Sequence, residues 1–115
     1  MNGFLEGGWI LTGSDRDDNE LTIWLSDREL LAADWGITIG RHPALCDHVI
    51  NDPSVSRRHL RFSARDSSFT IEDLNSLNGT LIDGTDIPSF QRAHVEEGQD
   101  LTLGHVQLHL TRVAG

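Results

Sequence analysis

The stretch HLRFSARDSSFTIEDLNSLNGT, residues 59–80, decides the fold. Leu60-Arg61-Phe62-Ser63-Ala64 and Phe69-Thr70-Ile71-Glu72 alternate apolar with polar residues, the period of a strand buried on one face. Beyond them, Asn75-Ser76-Leu77-Asn78-Gly79-Thr80 gathers residues that turn a chain. Working outward, the same period of two runs through Leu21 to Leu25 and Trp35 to Ile39, and it predicts further short strands at Trp9 to Thr12, Thr80 to Ile82, Leu101 to Leu103 and Val106 to Val113. The polar run Ser14 to Glu20 reads as a loop, and Asp83-Gly84 is the best tight hairpin turn. Only Asp27 to Ala33 looks helical, too short to found a helical core. Short strands separated by Gly, Asp, Asn and Pro predict an all-β, antiparallel β-sandwich, with the three tryptophans and four phenylalanines filling its core or its ends.

With 115 residues the chain has room for one domain, expected over residues 9–115, with residues 1–8 loosely ordered. All nine basic residues are arginine against eighteen acidic ones, and the net charge of −9 argues against a nucleic-acid or anionic-membrane surface. A local basic pocket is still compatible with that balance, because screening over about 8 Å isolates it from distant charge. Arg41, Arg57, Arg58 and Arg61 lie close together in sequence. The lone Cys46, the absence of a signal peptide and the absence of an apolar run long enough to insert into a membrane predict a reducing, cytoplasmic location.

Three blocks carry the chemistry: Gly40-Arg41, Ser56-Arg57-Arg58-His59 and Asn75 to Thr80. Each sits beside a strand-like segment, so a rigid sandwich can bring all three loops to one end. Their residue types suit a phosphate. A phosphorylated side chain carries about −1.5 to −2 charge and three strong acceptor oxygens. Arginine grips it with a planar fork, a serine hydroxyl adds a donor, and glycine lets backbone approach closely. An asparagine amide both donates and accepts, which suits a peptide backbone beside the phosphate.

In order and spacing these blocks resemble the forkhead-associated (FHA) domain, a family of phosphothreonine-peptide binders, from about Leu21 to the C-terminus. The resemblance implies an eleven-stranded β-sandwich with binding loops at one end, and no cofactor. It implies that Arg41 contacts the phosphate, Ser56 hydrogen-bonds it, Arg57 adds a contact and Asn78 reads the ligand backbone. Gly40, His59 and Gly79 match residues that shape and brace the loops, His59 as a buried, hydrogen-bonded histidine. Arg58 faces outward or toward the ligand. Ser54, Val55, Ser76 and Leu77 fall in the loops expected to read residues beyond the phosphothreonine, where Leu77 and Val55 favour an apolar ligand side chain. Two positions depart from the pattern: Leu77 stands where many members have threonine or another polar residue, leaving its backbone amide as a substitute donor, and Asn75 stands where glycine is common. Asparagine tolerates a left-handed backbone better than most residues.

The implied partner is a phosphothreonine-containing protein, made by an upstream serine/threonine kinase. A second class of function is a phosphate-independent FHA-like domain that serves a larger assembly such as a secretion apparatus; intact Arg41, Ser56 and Asn78 favour the first. Ser56, His59 and Asp52 or Asp73 have the letters of a nucleophilic triad, but no Gly-x-Ser-x-Gly elbow surrounds the serine, so no catalytic residue is assigned. His42, Cys46 and His48 lack clear metal-ligand spacing, and His105 and His109 lie ~13 Å apart on an extended strand, so no metal site is assigned.

Overall fold

The computed structural model describes residues 7–65 and 68–114. The segment expected to be loosely ordered lies largely outside them; its last two residues, Gly7 and Gly8, are buried, and Gly8 already opens the first strand. In chain order the elements are β1 (Gly8–Ser14), β2 (Glu20–Ser26), α1 (Asp27–Ala32), β3 (Ile37–Gly40), β4 (His48–Val49), β5 (Leu60–Arg65), β6 (Ser68–Asp73), β7 (Thr80–Ile82), β8 (Thr85–Asp86), β9 (Arg92–His94), β10 (Asp100–Leu103) and β11 (Val106–Val113). The expected sandwich is present with its eleven strands. One sheet runs β2-β1-β11-β10-β7-β8 and the other β4-β3-β5-β6-β9. The named strands pair antiparallel except that β4 joins β3 in parallel, Ile39 opposite His48, so the second sheet is mixed.

Alternation does the sorting. Trp9, Leu11, Leu101, Leu103, Leu108 and Leu110 turn inward from the first sheet to meet Ile37, Ile39, Leu60, Phe62 and Ile71 from the second. Each such side chain contributes about 1.5–3 kcal/mol by leaving water, and a one-residue slip would turn the whole set outward. The tryptophan expectation needs correction. Only Trp9 is buried, packed against Phe62 and Phe69, whereas Trp24 and Trp35 are exposed; so is Phe90. Alternation of period two puts Trp24 on the outer face of β2, and Trp35 falls in a turn ahead of β3.

The helix forms where Ser26 accepts the Glu29 backbone N–H at 3.0 Å, with the two residues in capping-box spacing. It buries Leu30 and stops short of two full turns. Asp83 and Gly84 both take positive φ (49° and 81°), the type I′ hairpin expected between β7 and β8. No helix of the described residues is long and apolar enough to cross a membrane.

Candidate functional site

Three loops meet at one end of the second sheet: the chain leaving β3, the chain entering β5, and the β6–β7 connection. The first two are locked backbone to backbone. Arg41 N–H donates to the Ser56 carbonyl at 2.9 Å and His42 N–H to the Arg57 carbonyl at 3.2 Å, while the Cys46 thiol also donates to the Arg57 carbonyl at 2.9 Å. This proximity explains Gly40, whose Cβ, if it had one, would sit 2.4 Å from the Arg57 carbonyl oxygen. Burial pushes the Cys46 thiol above its ordinary pKa, so the donor stays protonated.

Arg41 is fixed by half of its side chain. Its Nε–H donates to the Val55 carbonyl at 2.9 Å, which holds the guanidinium plane and leaves both terminal nitrogens, without partners among the described residues, facing a groove of about 640 Å³. Ser56 is held equally firmly. Its Oγ accepts the Leu77 N–H at 2.9 Å, so its own proton remains available to a ligand in the same groove. The Leu77 amide therefore supports Ser56 instead of substituting for a missing phosphate donor.

His59 sits beneath them, fully buried. Its Nδ1 accepts the Ser56 backbone N–H at 3.0 Å, which requires the proton to be on Nε2, from where it is donated to the Gly79 carbonyl at 2.9 Å. One imidazole thus ties the Ser56 loop to the Asn78-Gly79 loop. It takes the backbone of Ser56, not the hydroxyl, so the two do not form a nucleophile–base pair. Burial pushes its pKa below the ordinary value, against the opposing pull of the Gly79 carbonyl and Asp73.

Two buried carboxylates, weighed in the sequence only as letters of a triad, organise the rest. Asp73 Oδ1 accepts the hydroxyls of Ser76 (2.5 Å) and Thr80 (2.6 Å), and its Oδ2 accepts the Ser89 hydroxyl (2.7 Å) and the Ser76 N–H (3.0 Å). The same Ser76 hydroxyl accepts the Gly79 N–H. Asp52 accepts the Ser54 hydroxyl at 2.6 Å and its N–H at 2.9 Å, and Ser54 in turn accepts the His105 N–H on Oγ and the Asn78 side-chain amide on its carbonyl. Burial raises both carboxyls, but these hydrogen bonds outweigh it and hold each below its ordinary value. The Asp-x-x-Ser spacing at Asp73 and Ser76 is the one sequence signal that points to this hub.

Of the residues expected in the site, Arg41, Ser56, Arg57 and Asn78 line one groove, with Gly40, His59 and Gly79 behind it. The four expected specificity residues do not act alike. Val55 is a core residue, and Ser54 and Ser76 spend their hydroxyls on Asp52 and Asp73, so these three shape the loops and present no free side-chain group to a ligand. Leu77 alone stands out, 89% exposed, and shares the groove lining with Leu45 and Arg58, so of its two expected orientations Arg58 takes the one toward the groove. Asn78 spends one N–H of its side-chain amide on the Ser54 carbonyl, which fixes the amide and leaves its oxygen as an acceptor for a ligand. Asn75 takes φ +62°, the left-handed conformation for which asparagine is suited. Among the described residues no group of three or more His, Cys, Asp or Glu is arranged to hold a metal; His42, Cys46 and His48 bond instead to the Ala44 N–H, the Arg57 carbonyl and Glu29.

Comparison with known proteins gives the same picture. The chain is 35% identical over 104 residues to the glycogen accumulation regulator GarA of Mycobacterium tuberculosis, covering 90% of this chain and 58% of that one. It is 49% identical over 45 residues to the oxoglutarate dehydrogenase inhibitor of Corynebacterium diphtheriae, covering 39% of this chain and 31% of that one. It thus spans less than two thirds of the length of these curated relatives. The FHA domain of the CT664 protein from Chlamydia trachomatis superposes with a TM-score of 0.71 at 26% identity, over 93% of this chain and 99% of that one. The family model of the FHA domain matches residues 37–104, the span that holds every loop of the groove, and the chain belongs to the FHA domain family.

Proposed function

We infer that this chain is a phosphothreonine-peptide-binding module that acts without a catalytic step, in the cytoplasm, downstream of a serine/threonine kinase. The observation that carries the reading is the presentation of Arg41: its Nε–H is anchored on Val55 while its terminal nitrogens face the groove beside a Ser56 hydroxyl already held from behind. Donors fixed before the ligand arrives lower the ordering cost of binding. A dianionic phosphate then receives the terminal nitrogens of Arg41 and the Ser56 proton, with Arg57 adding charge from the rim. The Asn78 amide oxygen accepts from the ligand backbone, and Leu77 meets an apolar ligand side chain. Residues 9–115 serve as one recognition unit.

The γ-methyl of phosphothreonine adds about 0.8 kcal/mol when buried, which predicts at least a several-fold preference over phosphoserine. A peptide library presented as phosphothreonine, phosphoserine and unphosphorylated forms tests the reading. Binding is expected only with phosphate, and best with phosphothreonine. Equal affinity for unphosphorylated peptides would overturn it in favour of a phosphate-independent assembly domain.

A further inference from the structure

The second sheet has an outer face with a composition unlike the rest of the molecule. Arg61, Ser63 and Arg65 alternate outward along β5; Thr70 and Glu72 stand opposite on β6, and Arg92 and His94 follow on β9. Together they line a groove of about 790 Å³ that shares no lining residue with the Arg41 groove. Three of nine arginines thus gather on one face of a chain with net charge −9. Arg61 is 3.8 Å from Glu72, whereas Arg65 and Arg92 have no ion-pair partner among the described residues.

Two aromatic side chains border this face, and the backbone holds both outward. Trp35, 81% exposed, lies in the Ala33–Gly36 turn. Gly36 takes φ +82° there, and a Cβ on it would fall 2.4 Å from Ser63 Oγ, so only glycine lets the turn press against β5 and set the indole at the rim. Phe90, 62% exposed, takes φ +62°, a conformation unfavourable for a bulky residue, and is pinned by its N–H to the Asp73 carbonyl at 2.8 Å. From β3 to β9 across β5 and β6 is three inter-strand spacings, roughly 14 Å, the reach of about five extended residues.

We propose that this face is a second docking surface, which takes an acidic, extended polypeptide segment of a partner protein, its carboxylates on Arg65 and Arg92 and its apolar side chains on Trp35 and Phe90. Arginine forks match carboxylates bidentately, and exposed aromatic and arginine residues are the side chains that carry interface energy. A single-stranded nucleic acid uses similar groups, but Glu72 within the face, Asp34 at its edge and the overall charge of −9 oppose a continuous polyphosphate. A polypeptide can space its acids to pass Glu72.

The test is a titration of the ¹⁵N-labelled chain with a short unphosphorylated Glu-Leu peptide of repeated Glu-Glu-Leu-Leu, which puts both residue types on each face of an extended segment, and in parallel with the corresponding Lys-Leu peptide and with oligothymidylate. The Glu-Leu peptide is expected to shift amides of β5, β6 and β9 and the Trp35 indole N–H, and to leave Arg41 and Ser56 unmoved. The Arg65→Glu/Arg92→Glu double variant should weaken this binding at least about tenfold while keeping wild-type affinity for a phosphothreonine peptide and an unchanged circular dichroism spectrum. Trp35→Ala should weaken it without altering the fold. No shifts on this face, shifts that persist in the double variant, or tighter binding of oligothymidylate or the Lys-Leu peptide at the same residues would each overturn the proposal.

Discussion

At the scale of single residues, the proton on His59 governs whether the site holds together. The neutral imidazole accepts from Ser56 N–H; an imidazolium would point a second N–H at that donor and push the Ser56 loop away. Because burial depresses the folded-state pKa, the unfolded chain takes up the proton first as pH falls. The His59 contribution to stability is therefore complete above the ordinary histidine value of about 6.5 and is eroded below it. His59→Ala is expected to lower both melting temperature and phosphopeptide affinity, since two partners lose their bond, read by calorimetry and thermal melts. Arg41→Ala should differ in kind: about 2–5 kcal/mol of binding lost by titration calorimetry with the melting temperature unchanged. Asp73 acts in a lower range. Its carboxyl is held below the ordinary carboxylate value, so its contribution is present above about pH 4 and is lost as pH falls further. Asp73→Asn should cost about 1–3 kcal/mol at neutral pH and flatten the acid limb of the stability–pH curve, followed by denaturant melts across pH.

At the scale of elements, local chemistry and distant packing divide the work. The helix rests on the Ser26–Glu29 cap more than on its length, so Ser26→Ala should lower stability by about 1 kcal/mol in thermal melts and leave phosphopeptide affinity intact. The strands with clear alternation, β2, β5, β6 and β11, were legible within a residue or two because one face of each meets the core. β4, β8 and β9 were not: none contains a fully buried residue and each is held by its neighbour's hydrogen bonds, whereas the equally short β7 was marked by Leu81-Ile82 ahead of the Asp83-Gly84 turn. The site divides in the same way. Arg41, Ser56 and Asn78 could be read from motif order, and so could the left-handed Asn75. Val55 was misplaced because a valine in a loop looks like a surface residue until Asp52 and Ser54 fold the loop over it. Asp52 and Asp73 were missed as anchors because a buried carboxylate has no signature beyond the hydroxyls that surround it.

At the scale of the whole molecule, charge is sorted rather than spread. Arg41, Arg57 and Arg58 line one groove and Arg61, Arg65 and Arg92 the other, while Arg16 and Arg112 are 3.9 and 2.7 Å from Asp52 and Asp27. Attraction of a phosphopeptide is therefore local against a repulsive background, and raising salt should weaken binding only modestly in calorimetry because both terms are screened. Between pH 7.5 and 5.5 affinity should fall, as the phosphate loses its second charge near pH 6. An affinity constant across that window, with the fold intact by circular dichroism, would contradict a site that reads a dianion. The three tryptophans give the molecule its own optical reporters, because Trp9 is enclosed, Trp24 is half-open and Trp35 stands in water. Excitation of the untreated chain should yield a composite emission whose red edge is quenched first by acrylamide, and a ligand that shields only that red component must have settled beside Trp35.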